Sequence, residues 1–190
     1  MSEAGTARPY GRDEVVTAIR AAALELLAER SPRDVTVRDI ADRARVNHAL
    51  VHRHFGTKDE LVRSVLRSES ASIAELAVDR PPDAAHLMAM IEAHPAYFRA
   101  LARAVLDSPA ALSGLELPAG AAFLQLVGAP NERTRGAAAA AGSMALGWIV
   151  FGQHLARVLG SEDEELLHAA VIESVEAIVR RSRQPASSQQ

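Results

Sequence analysis

Residues 36–61 read TVRDIADRARVNHALVHRHFGTKDEL and contain three helix-start signals in close succession. Thr36, Asn47 and Thr57 each carry a side-chain oxygen that can accept a hydrogen bond from the free N–H groups of a first helical turn. An acidic residue stands three positions after each threonine, which is the spacing of a capping box. The stretch therefore predicts two short helices in tight succession and a third that begins at Lys58.

The first two of these helices form a predicted helix-turn-helix unit, because only residues 45–47 connect them. Apolar side chains at helical spacing give the unit an inward side, which consists of Ile40, Ala41, Ala44, Val51 and Phe55. The second helix turns another set outward, namely His48, Ala49, His52 and Arg53. Small and hydrogen-bonding groups at the N-terminal end of a helix suit the base edges of a DNA major groove. The sequence therefore predicts that this helix binds DNA.

The same residues resemble the DNA-binding domain of the TetR (tetracycline repressor-like) family. The resemblance covers roughly residues 13–65 and lies in the segments 36–44, 46–55 and 58–61. Lys58 falls on the family's phosphate-contacting lysine and is the only lysine in the chain. His52 stands where the family usually has tyrosine, and it can still hydrogen-bond a phosphate. The resemblance implies a DNA-binding transcriptional regulator, most often a repressor, that binds a palindromic double-stranded operator as a homodimer.

A basic patch coincides with this segment, although the whole chain has a net charge of −3. Seven Lys or Arg residues and three Asp or Glu residues lie between positions 30 and 58, with three histidines in addition. Such a patch favours binding to phosphates. We expect the DNA contacts to come from Thr36, Arg38, Arg45, Asn47, His48, Ala49, Leu50, His52, Arg53, His54 and Lys58. His54 has a second interpretation, as a structural residue that hydrogen-bonds near the first helix.

Arg45 departs from the family's pattern, which has glycine at this position of the turn. If the turn requires a positive φ there, arginine costs about 1 kcal/mol. Two interpretations follow: either the turn is altered, or Arg45 contacts a phosphate. An altered turn would favour the alternative function, a helical ligand-binding or scaffolding protein whose helix-turn-helix no longer binds DNA.

Helical periodicity continues through the rest of the chain and no strand pattern persists, so the predicted fold class is all-α. Further helices are predicted at about 13–30, 58–78, 83–93, 95–106, 118–127, 132–159 and 162–183, with Ser161 and Glu164 as a capping box for the last. Pro81-Pro82 marks the predicted domain boundary. We expect a flexible arm at 1–12, a DNA-binding domain at 13–60 whose fourth helix reaches about 80, a ligand-binding and dimerisation domain at 81–183, and a disordered tail at 184–190. Arg8 and Arg12 of the arm have a second interpretation, as side chains that enter a minor groove.

The resemblance implies that the last two helices form the homodimer and that the second domain encloses a small-molecule effector. Small residues between 137 and 147 are compatible with close helix approach. The candidate pocket residues are Met88, Ile91, His94, Phe98, Leu101, Phe123, Met144, Trp148 and Phe151. Each of them could instead be an ordinary core residue. If a pocket exists, these side chains predict a largely apolar effector.

Composition argues against several other classes of protein. The chain has no cysteine, which excludes disulfides and thiol chemistry, and we expect no signal peptide and a cytoplasmic location. Residues 136–156 carry no charge, but their alanines, glycines and polar residues favour a helix buried by protein over a membrane span. The spacing of His48 and His52 suits a metal, but no third ligand follows from the sequence, so we expect no metal and no cofactor. No catalytic motif is present, and we expect no enzyme activity.

Overall fold

The structure is a computed structural model, and it describes residues 9–76, 84–127, 131–161 and 163–183. Within these ranges it contains nine α-helices, a 3₁₀ turn at Pro109–Leu112 and no strand, which confirms the predicted all-α class. The helices are α1 (Arg12–Glu29), α2 (Val37–Arg43), α3 (His48–Phe55), α4 (Lys58–Leu76), α5 (Ala84–Ala93), α6 (Pro95–Asp107), α7 (Pro118–Val127), α8 (Glu132–Val158) and α9 (Glu164–Arg183).

Several predictions about chain ends and helix starts need correction or fall outside the structure. Arg12 is the first residue of α1 and does not belong to a flexible arm. The start of α9 is capped by Asp163, whose Oδ1 accepts from the Leu166 N–H at 2.9 Å, and not by Ser161. The 3₁₀ turn was not predicted. Arg8, the Pro81-Pro82 pair and the tail at 184–190 lie outside the described residues.

The chain divides into two compact units, of which the first comprises Met1–Glu69 and Arg99–Glu116, and the second Ser70–Phe98 and Leu117–Gln190. This division differs from the linear boundary predicted near residue 81. Long-range hydrogen bonds within the first unit give the reason. Arg103 Nε on α6 donates to the Ala28 carbonyl at the end of α1 (3.2 Å), and Arg63 Nη1 on α4 donates to the Ser113 carbonyl (3.0 Å). These bonds attach the second part of α6 and the 3₁₀ turn to the unit that contains α1–α3.

The core of the first unit is formed by the apolar sides of α1 to α4. Its larger fully buried members include Ile19, Leu26, Leu27, Ile40, Val51, Leu61, Val65 and Leu66. Of the predicted inward set of the helix-turn-helix, all are buried except Phe55, which is half-buried. The Arg20 guanidinium lies 5.7 Å from the centre of the Phe55 ring, and Arg20 Nη2 donates to Ser64 Oγ at 3.3 Å. Arg20 on α1 therefore contacts both the C-terminal end of α3 and the side of α4.

In the second unit, α5, α7, α8 and α9 pack against one another. The prediction that residues 136–156 are buried on all sides is correct for one side of α8 only. Ala138, Ala141 and Ala145 are buried, whereas Val150 and Phe151 are exposed. The small alanines let α8 approach its neighbours within the chain, and the larger apolar residues stay at the surface. No helix in the described ranges is long and apolar enough to span a membrane.

The turn between α2 and α3 has the positive φ that the family's glycine would predict, because Arg45 has a φ of 56°. The Val46 N–H donates to the Ala41 carbonyl (3.0 Å) and the Arg45 N–H to the Asp42 carbonyl (3.2 Å), the two bonds of a Schellman motif. The end of α8 has the same motif with Gly160 at the corresponding position, at a φ of 64°. The turn at Arg45 is therefore not altered, and arginine adopts a conformation that favours glycine.

We predict that the free energy of unfolding of Arg45→Gly exceeds that of Arg45→Ala by about 1 kcal/mol. Both variants lose the arginine side chain, but only alanine retains a Cβ atom, which is strained at a positive φ. Urea unfolding followed by circular dichroism measures the difference. Gly160→Ala is the matched control, since a Cβ there meets nothing within 4 Å, and it should lose a similar amount. Equal stabilities of the glycine and alanine variants at position 45 would contradict the assignment of strain.

Candidate nucleic-acid interface

Two capping boxes fix the starts of α2 and α4. The Asp39 N–H donates to Thr36 Oγ1 (3.1 Å), and Asp39 Oδ2 accepts from the Thr36 N–H (2.9 Å). Thr57 and Glu60 repeat the arrangement, with the Thr57 N–H 2.7 Å from Glu60 Oε2. Bonds from the threonine backbone, and then from its hydroxyl, lower the pKa of the Asp39 and Glu60 carboxyls below their ordinary values. Both predicted boxes are therefore present in the structure.

Asn47 caps α3, since its Oδ1 accepts from the Ala49 N–H at 2.9 Å. The cap sets which residues of this short helix face solvent. His48, Ala49, His52 and Arg53 are all exposed, as the sequence predicts, while Val51 is buried beneath them. Helix α3 therefore presents a row of small and hydrogen-bonding groups to the outside.

The His52 ring is oriented by the end of its own helix. Its Nδ1 lies 3.0 Å from the Gly56 carbonyl oxygen, which can only accept, so Nδ1 carries the proton and donates. Nε2 is left as the ring nitrogen for an external partner. Gly56 has a φ of 74°, and a Cβ there would lie against the Glu60 carboxylate. This glycine therefore allows the chain to turn directly from the His52 contact into the α4 cap.

Lys58 is held in place by a backbone carbonyl of the loop before α2. Its Nζ donates to the Pro32 carbonyl at 2.8 Å, and the side chain is partly buried. An ammonium group has three donors, so this bond leaves donors for a phosphate. Lys58 thus supports the loop between α1 and α2 and places a positive charge at the N-terminal end of α4.

A groove runs between the N-terminal ends of α2 and α3. It is lined by Thr36, Val37, Arg38, Asp42, Val46, Asn47, His48 and His52. Five of these are predicted DNA contacts. Asp42 was not predicted, although its position four residues after Arg38 puts both on one face of α2. A carboxylate there can accept a hydrogen bond from a cytosine amino group.

A second groove lies on the other side of α3, beside the start of α1. Its lining residues are Pro9, Tyr10, Gly11, Arg12, Val15, Leu50, Arg53 and His54. Half-buried His54 lines this groove together with Arg12 and Val15 of α1, and both of its interpretations stay predictions. Tyr10 is the residue that the sequence did not single out. Its isolated position before α1 gave no periodic signal.

The basic residues near α3 differ in whether they are paired with carboxylates of the protein or exposed to an external partner. Arg43 donates to Glu25 (3.0 Å) and Glu29 (3.4 Å), which joins α2 to α1 and raises the pKa of its guanidinium. Arg38 and Arg53 are exposed on the faces that line the two grooves. Arg43 was not among the predicted DNA contacts, and its two carboxylate partners give it a structural role.

The candidate effector residues are not brought together as one group. Met88, Ile91 and Phe98 are buried, Phe151 is 55% exposed, and Leu101 lies in the first unit. The others, His94, Phe123, Met144 and Trp148, are half-buried. An apolar pocket formed by these side chains therefore stays a prediction.

Trp148 is held between two neighbours in the second unit. Its indole stacks on the His168 ring at 5.7 Å between centroids, and a Cβ on Gly152 would lie 3.0 Å from an indole carbon. His168 Nε2 lies 2.5 Å from Glu92 Oε1, so this chain of contacts links α8, α9 and α5. The adjoining concavity is lined by Glu92, Trp148, Asp163, Glu164, Glu165 and His168. Its lining is polar, unlike the largely apolar site that the sequence predicts. No cluster suited to a metal ion occurs in the described ranges.

Comparison with known proteins identifies the same segment. Residues 19–65 match the family described as bacterial regulatory proteins, tetR family. The chain is 39% identical over 159 residues to the HTH-type transcriptional repressor Rv3405c of Mycobacterium tuberculosis, covering 82% of each chain. It has the same identity and coverage to the HTH-type transcriptional regulator Mb3439c of Mycobacterium bovis.

Solved structures share the fold. A tetR-family transcriptional regulator from Streptomyces coelicolor matches with a TM-score of 0.58 at 23% identity, covering 95% of this chain and 94% of that one. The Streptomyces coelicolor protein SCO4942 matches with a TM-score of 0.66 at 22% identity, covering 85% of this chain and 96% of that one.

We predict that the two capping boxes make stability fall on acidification. A carboxyl whose pKa is lowered in the folded state contributes stability above its ordinary pKa and loses it as the pH falls through the folded value. The double variant Asp39→Asn/Glu60→Gln should therefore lose less stability than the unmodified protein between about pH 5 and about pH 2. Urea unfolding at a series of pH values measures both slopes. Identical slopes would show that these carboxyls do not titrate differently in the folded state.

Proposed function

Because the chain belongs to the TetR family of bacterial regulatory proteins, which are DNA-binding transcriptional regulators, we propose that it represses transcription as an effector-responsive homodimer on a palindromic operator. The observation that carries the proposal is α3, whose cap at Asn47 and buried Val51 leave His48, His52 and Arg53 exposed together. A helix of this kind enters a major groove with its N-terminal residues at the base edges.

The groove between α2 and α3 supports this docking. Thr36 and Arg38 lie at the N-terminal end of α2, where a phosphate would face a hydroxyl and a guanidinium. Lys58 would contact a phosphate from the start of α4. We assign base contacts to His48, Ala49 and Arg53 and backbone contacts to the others.

The positive φ of Arg45 bears on the alternative function. A helix-turn-helix that had lost its DNA-binding geometry would be expected to have an altered turn. Both hydrogen bonds of the Schellman motif are present at Arg45, so the turn has the same backbone conformation that a glycine would adopt there. The proposal of DNA binding is therefore favoured over a scaffolding role.

The apolar surface of the last two helices supports the homodimer. On α8, Phe151, Leu155 and Val158 are exposed at helical spacing, and Leu166 is exposed on α9. Exposed apolar groups that follow one helix face are typical of a protein–protein interface. A two-fold arrangement of α8 and α9 would bury them in a four-helix contact. It would also present two copies of α3 to successive major-groove turns.

Effector response is the third part of the proposal. Helices α4 and α6 each have residues in both compact units, so each is a covalent connection through which the second unit can act on the first. An effector shifts the equilibrium only by its difference in affinity for the two states. Trp148 is the only tryptophan, so its fluorescence can report binding in the second unit. Operator affinity that is unchanged by every compound that alters this fluorescence would contradict the switch.

We predict different effects for the two cations of the interface. Arg53→Ala should reduce the preference for the operator over random duplex, because a specific base contact contributes about 1–3 kcal/mol of discrimination. Lys58→Ala should weaken binding to both DNAs alike and lower the salt slope by about 1. Fluorescence anisotropy at several salt concentrations measures both quantities.

Lys58 also donates a hydrogen bond to the Pro32 carbonyl, so Lys58→Ala removes a contact within the protein as well as a cation. The thermal unfolding of this variant is therefore measured together with its affinity for DNA. The affinities are compared at a temperature where each variant is folded. If Arg53→Ala and Lys58→Ala change specific and random binding equally, the assignment of separate roles is wrong.

We predict that Phe151→Glu converts the dimer to a monomer and abolishes cooperative operator binding. The substitution places a charge in the apolar contact that α8 and α9 would bury in the proposed dimer. Sedimentation velocity measures the oligomeric state. Leu106→Glu is the matched control, since Leu106 is 78% exposed but belongs to the first unit. A dimer that survives Phe151→Glu, or a dimer that dissociates equally in Leu106→Glu, would contradict the assigned interface.

A further inference from the structure

The groove beside the start of α1 begins at predicted DNA contacts on α3 and extends beyond them onto the residues before and at the start of α1. It shares Leu50, Arg53 and His54 with α3, and it continues onto Tyr10 and Arg12. DNA that lies against the outer face of α3 would therefore meet this groove. The groove is continuous with the interface already described.

Tyr10 is held there with its ring in solvent. The residue is 90% exposed, while its backbone N–H donates to Glu14 Oε2 at 3.0 Å. Gly11 follows with a φ of 86°, and its carbonyl accepts from the Val15 N–H at 3.1 Å. The backbone on both sides of the ring is thus fixed by the first turn of α1. An aromatic ring with a polar tip suits a surface that is apolar at one end and wet at the other.

The charge of the groove matches a nucleic-acid backbone. Among the residues that the structure describes, its lining includes two arginines, a histidine and a tyrosine, and no carboxylate. The nearest acidic residues along the chain are Asp13 and Glu14, and Glu14 is bonded to the Tyr10 N–H. Arginine and tyrosine are common donors to phosphate oxygens, and such contacts set register without reading sequence.

We propose that Tyr10 and Arg12 form an accessory DNA contact that binds the sugar–phosphate backbone of the operator beside the bases met by α3. Arg12 pairs with a phosphate, and the Tyr10 ring packs on the adjoining deoxyribose with its hydroxyl toward the same strand. The contact lengthens the footprint of each half-site and adds affinity without adding base preference. This inference rests on the proposed DNA-binding function.

The test uses the full chain and an operator duplex recovered by selection from random DNA. Tyr10→Ala and Arg12→Ala are each expected to weaken operator binding about tenfold while leaving the preference over random duplex unchanged. Arg12→Ala should lower the salt slope by about 0.9 for each phosphate that the arginine neutralises. In Arg12→Ala, the interference that ethylation of a phosphate causes with the unmodified protein should disappear at one discrete position in each half-site. Arg99→Ala, an exposed arginine of α6 in the same unit, is the control and should change none of these quantities.

Tyr10→Phe separates the contribution of the ring from that of its hydroxyl. If Tyr10→Ala lowers the operator affinity and Tyr10→Phe keeps the wild-type affinity, the effect comes from packing of the ring on the sugar. Wild-type affinity, salt slope and ethylation pattern in both Tyr10→Ala and Arg12→Ala would overturn the accessory contact while leaving the proposed function intact. Failure of the unmodified protein to bind any selected duplex would instead overturn the proposed function, and this inference with it.

Discussion

The hydrogen bonds that Thr36, Asn47 and Thr57 make to the first turns of α2, α3 and α4 determine where these helices begin. The rest of the proposed DNA-binding surface depends on those starting points. Successive residues of a helix point about 100° apart, so a start displaced by one residue would turn Arg53 away from the surface and Val51 out of the core. In two of the three caps, a carboxylate also accepts a hydrogen bond from the backbone N–H of the capping threonine. This second bond fixes the end of the loop that precedes the helix.

The turn between α2 and α3 shows how the chain tolerates strain within this surface. Arg45 lies in a left-handed conformation, and its cost of about 1 kcal/mol is small beside the roughly 5–15 kcal/mol typical of a folded domain. The flanking backbone bonds of the Schellman motif hold it there. An arginine at this point places a cation between the two helices that would approach DNA, which a glycine would not provide.

Most of the first unit could be predicted from the sequence because its determinants are local. A cap and its partner lie three residues apart, and the inward side of a helix repeats every three or four positions. The attachment of α6 could not be predicted, since Arg103 reaches Ala28 across 75 positions and Arg63 reaches Ser113 across 50. Tyr10 was missed because a single residue before α1 carries no periodic pattern, and its nearness to α3 depends on how α1 packs beside α3. The cap of α9 was misassigned because Ser161 and Asp163 both stand near the helix start, and only the backbone path selects between them.

We propose that two copies of α3 bind DNA together, and the decisive experiment is selection of random duplex DNA by the purified protein, followed by sequencing. Paired binding should enrich a palindrome whose half-sites are centred about 10 base pairs apart or a multiple of that spacing. Enrichment of a single unrepeated site would contradict paired use of α3. No enrichment at low salt would contradict DNA binding itself.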